Sequence, residues 1–443
     1  MTVSEQLKRA LTQATTVEQL GIPPTLVTDL MFRMLFNEGE VSVARLCEVI
    51  RVYPQIIDDF LMQAQHDHLV EVAKAGSIRF SYVYRLTDDG AQRARDSIER
   101  THYVGPAPVD MRQYEKAMLL QTGERQPVTA QQVKKALSDL VLPENFHRRI
   151  GPAVNSGNSL FLYGPPGNGK TTIAQAIGKL LAGTDPIWLP YAITVGGQII
   201  QIHDPSIHVH KPESGVVQAD SATPGKTTTL GDAKVDKRWG LFQRPAVMVG
   251  GELTMEALDL RFEPVAKVYE APLQLKANGG MFLIDDFGRQ QISPRELLNR
   301  WIVPLEAGID YLRLDSGQTL QIPFRQLIVF STNLDPLELV DAAFLRRIQM
   351  KVEVRSPDVT MFYQIFIKMC ETYKVPFDKN GFMYLLKKWY QEPKRAMQAV
   401  HPRDIIKAIV SICAYEGVPP KMLPALIDEA CMVYFVERQN NAI

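Results

Sequence analysis

A glycine-rich segment in the middle of the chain has the residue types and the spacing needed to bind phosphate groups. The apolar run Leu160–Tyr163 leads into GPPGNGKTT, and an apolar helical pattern follows. Glycines let backbone N–H groups close around a phosphate, and the N-terminus of the next helix adds its dipole. A strand, a GxxxxGK(S/T) loop and a helix in this order predict a nucleotide-binding phosphate loop. The loop consists of Gly164, Pro165, Pro166, Gly167, Asn168, Gly169, Lys170, Thr171 and Thr172.

Two consecutive aspartates supply the carboxylates that a nucleotide-bound metal ion requires. Asp285 and Asp286 come directly after Met281–Ile284, an apolar run typical of a buried strand. Within the phosphate loop, Lys170 is suited to neutralising the β- and γ-phosphates and Thr171 to binding Mg²⁺. We expect Asp285 to hold the same ion through water and Asp286 to orient the attacking water.

Three further polar side chains follow at the ends of predicted elements. The strand-like run 326–333 ends in Asn333, which is placed to reach the γ-phosphate or the attacking water. Arg346 and Arg347 end a short helical pattern, and Arg403 lies at the start of another. Each residue alone is weak evidence, because strand-end asparagines are usually structural and single arginines usually lie on the surface.

The order of these features resembles that of the AAA+ ATPases, over about residues 140–443. The resemblance implies ATP and Mg²⁺ as cofactors and ATP hydrolysis as the reaction. It also implies an α/β P-loop NTPase base built on a parallel sheet, with a helical lid C-terminal to it. Asn333 would be sensor 1 and Arg403 sensor 2. Arg347, or else Arg346, would be an arginine finger for a neighbouring subunit, which implies a homo-oligomeric ring, usually of six.

One subgroup of that family, which has a β-hairpin ahead of sensor 1, is similar over residues 275–324. MCM helicases, MoxR-type chaperones and enhancer-binding transcription activators belong to it. Residues 311–314 and 319–322, around the turn Asp315-Ser316-Gly317-Gln318, would form the hairpin.

The acidic pair departs from the family pattern, which usually has Asp-Glu where this chain has Asp285-Asp286. Aspartate is one methylene shorter, so its carboxylate falls roughly 1.5 Å short, and a misplacement of about 1 Å costs on the order of a hundredfold in rate. We therefore expect slow hydrolysis rather than none.

An insertion near residues 200–280 is the second departure, since the phosphate loop and the acidic strand are about 50 residues further apart than ordinary connections require. His203, His208 and His210 lie there with no established zinc-motif spacing, so we expect an exposed hairpin rather than a metal site. Residues 211–235 are rich in polar residues and glycine and predict a mobile loop. Phe242 or Met248 would serve as a pore loop, with burial in the core as an equal alternative.

The first hundred residues read as three helices, a hairpin and a closing helix, and resemble a small α+β winged-helix domain. Such domains often bind DNA through their third helix, here residues 54–68. That segment contains Asp58, Asp59 and Asp67 but no lysine or arginine. Phosphate contacts supply most non-specific DNA affinity, so we expect the domain to dock onto protein, with DNA binding as a less favoured alternative.

The composition indicates an ordinary globular protein. The 443 residues have a formal net charge of zero and 46% are hydrophobic, which argues against a general electrostatic grip on DNA. The four cysteines are scattered, and no apolar run is long enough for a membrane span or a signal peptide, so we expect a cytoplasmic protein. The expected domains are a docking domain (1–100), a linker (101–135), the α/β base (136–355) and the helical lid (356–443).

The sequence leaves three classes of function open. The first is a chaperone-like ATPase that remodels or assembles a protein partner. The others are a DNA-directed motor or transcription regulator, and a nucleotide-gated scaffold that hydrolyses ATP slowly.

Overall fold

The computed structural model describes residues 3–123, 126–211, 229–230, 233–339 and 342–435. The chain divides into two compact units. The first unit comprises residues 1–127, 181–282 and 296–327. The second comprises residues 128–180, 283–295 and 328–443. Every residue of the predicted phosphate loop belongs to the second unit.

Helices predominate up to residue 182, and strands predominate between residues 187 and 276. The elements up to residue 182 are α1 (Val3–Ala10), α2 (Pro24–Glu38), β1 (Val41–Ser42), α3 (Val43–Ile50), α4 (Pro54–His66), β2 (Val70–Lys74), β3 (Val83–Leu86), α5 (Asp88–Arg100), β4 (Val109–Asp110), α6 (Met111–Gly123), α7 (Ala130–Ala136), α8 (His147–Ser156), β5 (Ser159–Tyr163) and α9 (Lys170–Ala182). Up to residue 276 they are β6 (Ile187–Pro190), β7 (Ala192–Val195), β8 (Gln198–Gln201), β9 (Thr229–Leu230), β10 (Ala233–Lys234), β11 (Trp239–Phe242), β12 (Ala246–Val249), β13 (Arg261–Glu263), β14 (Val268–Glu270) and α10 (Leu273–Lys276).

The remaining elements complete the chain. They are β15 (Met281–Ile284), α11 (Pro294–Arg300), α12 (Ile302–Ala307), β16 (Ile309–Arg313), β17 (Thr319–Pro323), β18 (Leu327–Thr332), α13 (Pro336–Leu339), α14 (Ala342–Leu345), β19 (Met350–Glu353), α15 (Val359–Thr372), α16 (Lys379–Leu385), a π-helical turn (Leu386–Gln391), α17 (His401–Glu416) and α18 (Pro424–Tyr434).

The N-terminal part of the first unit contains the helices and the hairpin expected from the sequence. Strands β1, β3 and β2 form an antiparallel sheet in that order, and α2 to α5 share one apolar core with it. Helix α5 begins where the Thr87 hydroxyl accepts a hydrogen bond from the Gly90 N–H, a typical N-cap. The likeness to a winged-helix domain remains a prediction.

The insertion forms much of a second sheet in the first unit, with the strand order β13-β14-β8-β7-β4. Strand β4 and helix α6 come from the segment predicted as a linker, and Tyr114 and Met118 of α6 are buried in this core. Buried Arg238 pairs with Asp236 at 2.7 Å and also donates to the carbonyl oxygens of Leu20 and Pro108. These bonds join the insertion to the N-terminal residues, and they satisfy a guanidinium that would be costly to bury alone.

The β-hairpin predicted for residues 311–314 and 319–322 is present in the first unit. Strands β16 and β17 pair antiparallel, from Ile309 opposite Pro323 to Arg313 opposite Thr319. The subgroup that this hairpin suggested remains a prediction.

The exposed hairpin predicted for the insertion's histidines is wrong for His208, which is buried, whereas His203 is half-buried and His210 is exposed. His208 is only 3% exposed, and both of its ring nitrogens are hydrogen-bonded: Nδ1 accepts from the Asp204 N–H and Nε2 donates to the Lys276 carbonyl. Burial, with a smaller contribution from His208 and His210, lowers the pKa of His203 to about 4. Within residues 3–123, 126–211, 229–230, 233–339 and 342–435, no three His, Cys, Asp or Glu side chains are grouped to hold a metal ion.

Other expectations for the insertion have separate outcomes. Phe242 is fully buried in the core of the first unit, whereas Met248 is 53% exposed. Residues 212–228 and 231–232 of the predicted loop lie outside the described residues. Among the helices that the structure describes, none is both long and apolar enough to cross a membrane.

The second unit confirms the predicted fold class. Its strands lie in the order β15-β18-β5-β19, and both β18 and β19 run parallel to β5. Strands β15 and β18 are buried along their whole length, which is typical of parallel strands covered on both faces. The phosphate loop joins β5 to α9, and α15 to α18 pack around one apolar core, as expected for a P-loop NTPase base and a helical lid.

Candidate nucleotide-binding site

A cavity of about 350 Å³ in the second unit contains most of the predicted site residues. Its polar wall comes from the phosphate loop, the end of β15, the end of β18 and the start of α17. Its lining includes Gly167, Asn168, Gly169, Lys170, Thr171, Thr172, Asp285, Asp286, Asn333 and Arg403. Because β18 runs parallel to β5, the carboxyl ends of these two strands meet at one edge of the sheet, and the hydrogen bond of Thr171 with Asp285 shows that the end of β15 lies beside them.

The phosphate loop adopts a conformation that requires glycine. Gly164 has a φ of 133°, and a Cβ there would lie 2.4 Å from the Val354 carbonyl oxygen. The Lys170 ammonium donates to the carbonyl oxygens of Gly164 and Pro165, each at 2.8 Å. Burial lowers the pKa of Lys170, and the nearby Asp286 and Asp285 oppose that shift. The ammonium therefore lies at the loop, held by bonds that it can exchange for phosphate oxygens.

The Thr171 hydroxyl and the Asp285 carboxylate form the candidate metal site. Thr171 Oγ1 donates to Asp285 Oδ2 at 2.8 Å. Mg²⁺ prefers oxygen ligands and is usually held by one or two carboxylates together with substrate phosphates. This pair fits that preference, since the phosphates would supply further ligands.

Asp286 has an unusual backbone conformation, with a φ of 49°. A non-glycine residue in this region is uncommon and is held there by its surroundings. Asn333 Nδ2 donates to Asp286 Oδ1 at 3.0 Å, which joins the two residues expected to position the attacking water. Its side chain thus has a defined partner at the edge of the cavity.

Gln290 is a functional candidate that the sequence pattern did not indicate. Its Nε2 donates to the carbonyl oxygens of Asp285 at 2.8 Å and Asp286 at 3.1 Å. Its Oε1 accepts from the Gly288 N–H at 2.8 Å. The side chain therefore closes the turn that carries both aspartates.

Arg403 lies at the lid side of the cavity. Its Nε donates to Asp404 Oδ1 at 2.8 Å, and this hydrogen bond raises the pKa of Arg403 against the opposing effect of burial. Tyr434 of α18 donates to the other Asp404 oxygen at 3.1 Å. Half-exposed Arg403 is thus paired with a neighbour in its own helix.

An apolar part of the cavity was also not predicted. It is lined by Leu140, Val141, Leu142, Ile365 and Met369. Lys368 of α15 donates to the Ser138 carbonyl at 2.9 Å and so joins the lid helix to this segment. Apolar walls beside a phosphate loop are suited to a planar base.

The structure does not bring every predicted residue to the cavity. Gly164, Pro165 and Pro166 precede the part of the loop that lines it, and neither Arg346 nor Arg347 is among its described lining residues. Arg346 is exposed and Arg347 is half-buried, just before fully buried Ile348.

Comparisons with known proteins found one family model and several partial similarities. The matching family model covers residues 358–433 and is described as a domain of unknown function, DUF8689. A vesicle-fusing ATPase of Dictyostelium discoideum is 43% identical over 53 residues, which are 12% of this chain and 7% of that protein. A vesicle-fusing ATPase of Arabidopsis thaliana is 32% identical over 100 residues, which are 23% of this chain and 12% of that protein. The chain thus spans only a small part of the length of these relatives.

Solved structures match over longer stretches with low identity. A RuvB mutant of Thermotoga maritima has a TM-score of 0.39 and 14% identity, over 69% of this chain and 74% of that chain. NtrX from Brucella abortus, in complex with ATP, has a TM-score of 0.38 and 14% identity, over 78% of this chain and 70% of that chain. The fold assignment therefore depends on the strand order and phosphate loop of this chain.

Proposed function

We propose that this chain is an AAA+-type ATPase that binds ATP with Mg²⁺ in the cavity of the second unit and hydrolyses it. The observation that carries the proposal is the hydrogen bond of Thr171 with Asp285, on the wall that also holds Lys170. A phosphate-loop hydroxyl and a carboxylate at the end of β15 together form the oxygen site that a nucleotide-bound Mg²⁺ requires. The similarity to vesicle-fusing ATPases supports the same class.

Each residue has a distinct task in this reaction. Lys170 exchanges its two loop carbonyls for phosphate oxygens and stabilises the charge of the β- and γ-phosphates. When bound, Mg²⁺ supplies further charge neutralisation at the phosphates. Asp286 and Asn333 orient the attacking water, and Arg403 approaches the γ-phosphate after leaving Asp404.

Slow turnover follows from the acidic pair. Asp286 has a shorter side chain than the glutamate usual in the family, and its carboxylate is engaged by Asn333. Both features hold the carboxylate back from a water at the γ-phosphate. This combination is what favours the nucleotide-gated scaffold as the second candidate function.

Assembly and partner follow from residues outside the cavity. Arg347, or Arg346, completes the site of a neighbouring subunit in a homo-oligomeric ring, for which the family resemblance implies six subunits. The position of both arginines outside the cavity of their own chain supports this. The partner is a protein that ATP turnover remodels, and the acidic helix α4 argues against DNA as the partner of the N-terminal region.

Equilibrium binding of ATP, measured by calorimetry with and without Mg²⁺, tests the proposal. We expect Lys170→Ala to abolish binding, because the charge that faces the phosphates is lost. Lys179→Ala, which changes an exposed lysine on the same helix, is the matched control and should bind like the parent protein. Equal affinity of the Lys170→Ala and parent proteins would overturn the site assignment.

A further inference from the structure

The Asn168 side chain connects the phosphate loop with the segment that leads into α17. It is only 5% exposed. Its Oδ1 accepts from the Ala399 N–H at 3.1 Å, and its Nδ2 donates to Ser356 Oγ at 3.2 Å. One side chain in the loop therefore contacts two segments that lie about 190 and 230 residues further along the chain.

A second hydrogen bond reinforces this connection. The Val400 N–H donates to the Gly167 carbonyl at 2.9 Å. Gly167 has a φ of 72°, and a Cβ there would lie 2.6 Å from Gln398 Oε1 and 2.9 Å from Val400 Cγ1. Glycine at this position lets the loop and the 398–400 segment approach closely.

These hydrogen bonds lie directly before the helix that carries Arg403. Helix α17 begins at His401, directly after the two bonded amides, and Arg403 lies in its first turn. The bonds to Asn168 and Gly167 fix where this helix begins relative to the phosphate loop. They therefore fix the point from which the arginine side chain reaches into the cavity.

We propose that Asn168 is a positioning residue that couples the phosphate loop to Arg403, so that recognition of the γ-phosphate depends on its side chain. The inference rests on the proposed function, because it concerns the same ATP site. The backbone N–H groups of the loop can contact the α- and β-phosphates without the side-chain amide of Asn168. Removal of this side-chain amide therefore weakens the binding of ATP more than the binding of ADP.

Calorimetry with ADP and with a non-hydrolysable ATP analogue, both with Mg²⁺, tests the coupling. Asn168→Ala should lower the affinity for the analogue about tenfold, which is the size expected for one or two lost hydrogen bonds. The affinity for ADP should fall less than about twofold. In an Arg403→Ala background, the same substitution should leave the affinity for the analogue nearly unchanged. Ser356→Ala, which removes one of the two contacts, should give a smaller loss of the same kind.

Several outcomes separate a coupling role from a structural one. A structural role would weaken ADP and the analogue alike, or would repeat the tenfold loss in the Arg403→Ala background. Either result overturns the inference, as does unchanged affinity in Asn168→Ala. If the parent protein bound neither nucleotide, the proposed function would fail as well, whereas failure of the coupling alone leaves Lys170-dependent binding intact.

Discussion

His401, the first residue of α17, makes the helix that carries Arg403 sensitive to acid. The imidazole is 6% exposed, Nδ1 is hydrogen-bonded to the Tyr390 hydroxyl at 3.0 Å, and the Phe435 ring lies 5.3 Å away. Burial, with the charge of Arg395 as a smaller cause, lowers the pKa of His401 from 6.5 to about 4, although Asp404 opposes the shift. The folded protein thus holds this histidine neutral.

The sign and size of the effect follow from these two pKa values. As the pH falls from 6.5 towards 4, the unfolded segment takes up a proton that the folded one does not, so folding becomes less favourable. The difference between the two values corresponds to about 3 kcal/mol, at about 1.4 kcal/mol for each pH unit. Above pH 6.5 the free energy of unfolding is not reduced by this histidine, and by about pH 4 nearly the whole reduction has occurred.

Hydrogen exchange of the α17 amides at pH 7 and pH 4, corrected for intrinsic exchange rates, measures the effect. His401→Phe keeps an aromatic ring but does not titrate. Between pH 7 and pH 4, the free energy of opening of α17 should therefore fall less in this variant than in the parent protein, and the difference should be up to about 3 kcal/mol. At pH 7 the His401→Phe substitution should lower the free energy of opening by about 1 kcal/mol, because the Tyr390 hydroxyl loses its partner. Tyr390→Phe removes the same hydrogen bond and keeps the histidine, so it should retain the full pH dependence. Equal pH dependence in the His401→Phe and parent proteins would show that His401 is not the titrating group.

Three other substitutions test separate parts of the account. Arg347→Ala should bind ATP nearly normally but hydrolyse it about 10³-fold more slowly, and mixing with Lys170→Ala subunits should restore some activity; no recovery in rings shown to be mixed would contradict a shared site. Gln290→Glu should lower kcat at least about tenfold with unchanged nucleotide affinity, because a carboxylate would face two carbonyl oxygens, whereas the exposed neighbour Gln291→Glu should have no effect. Asp286→Asn should retain ATP binding and lose about 10² in turnover, and an unchanged rate would remove Asp286 from the reaction.

The phosphate loop and the strand-end residues were predictable because their signals are local. A glycine pattern between an apolar strand and a helix defines the loop, and each strand-end residue follows its own apolar run. The parallel strands β5 and β18 then bring Lys170 and Asn333 to one edge, and Asp285 lies at the same cavity, whatever lies between them in the chain. Their placement at one cavity therefore needed only the order of the elements.

The remaining site residues depend on contacts between distant segments, which no local pattern records. Asn168 belongs to the predicted loop, yet two of its side-chain partners, Ser356 and Ala399, come from distant segments. Gln290 follows no motif, and its role is visible only where the turn of the two aspartates closes on it. The burial of His208 likewise depends on the carbonyl of Lys276, which lies 68 residues further on.

Steady-state ATP hydrolysis by the purified 443-residue chain is the measurement that decides whether this cavity is catalytic. We expect slow turnover that requires Mg²⁺ and remains in Lys179→Ala. Lys170→Ala and Asp285→Ala should each lose at least about a hundredfold, because one removes the charge facing the phosphates and the other the protein anchor of the metal. Turnover that persists at the parent rate in Lys170→Ala, or that does not depend on Mg²⁺, would contradict the claim that this cavity is the site of hydrolysis.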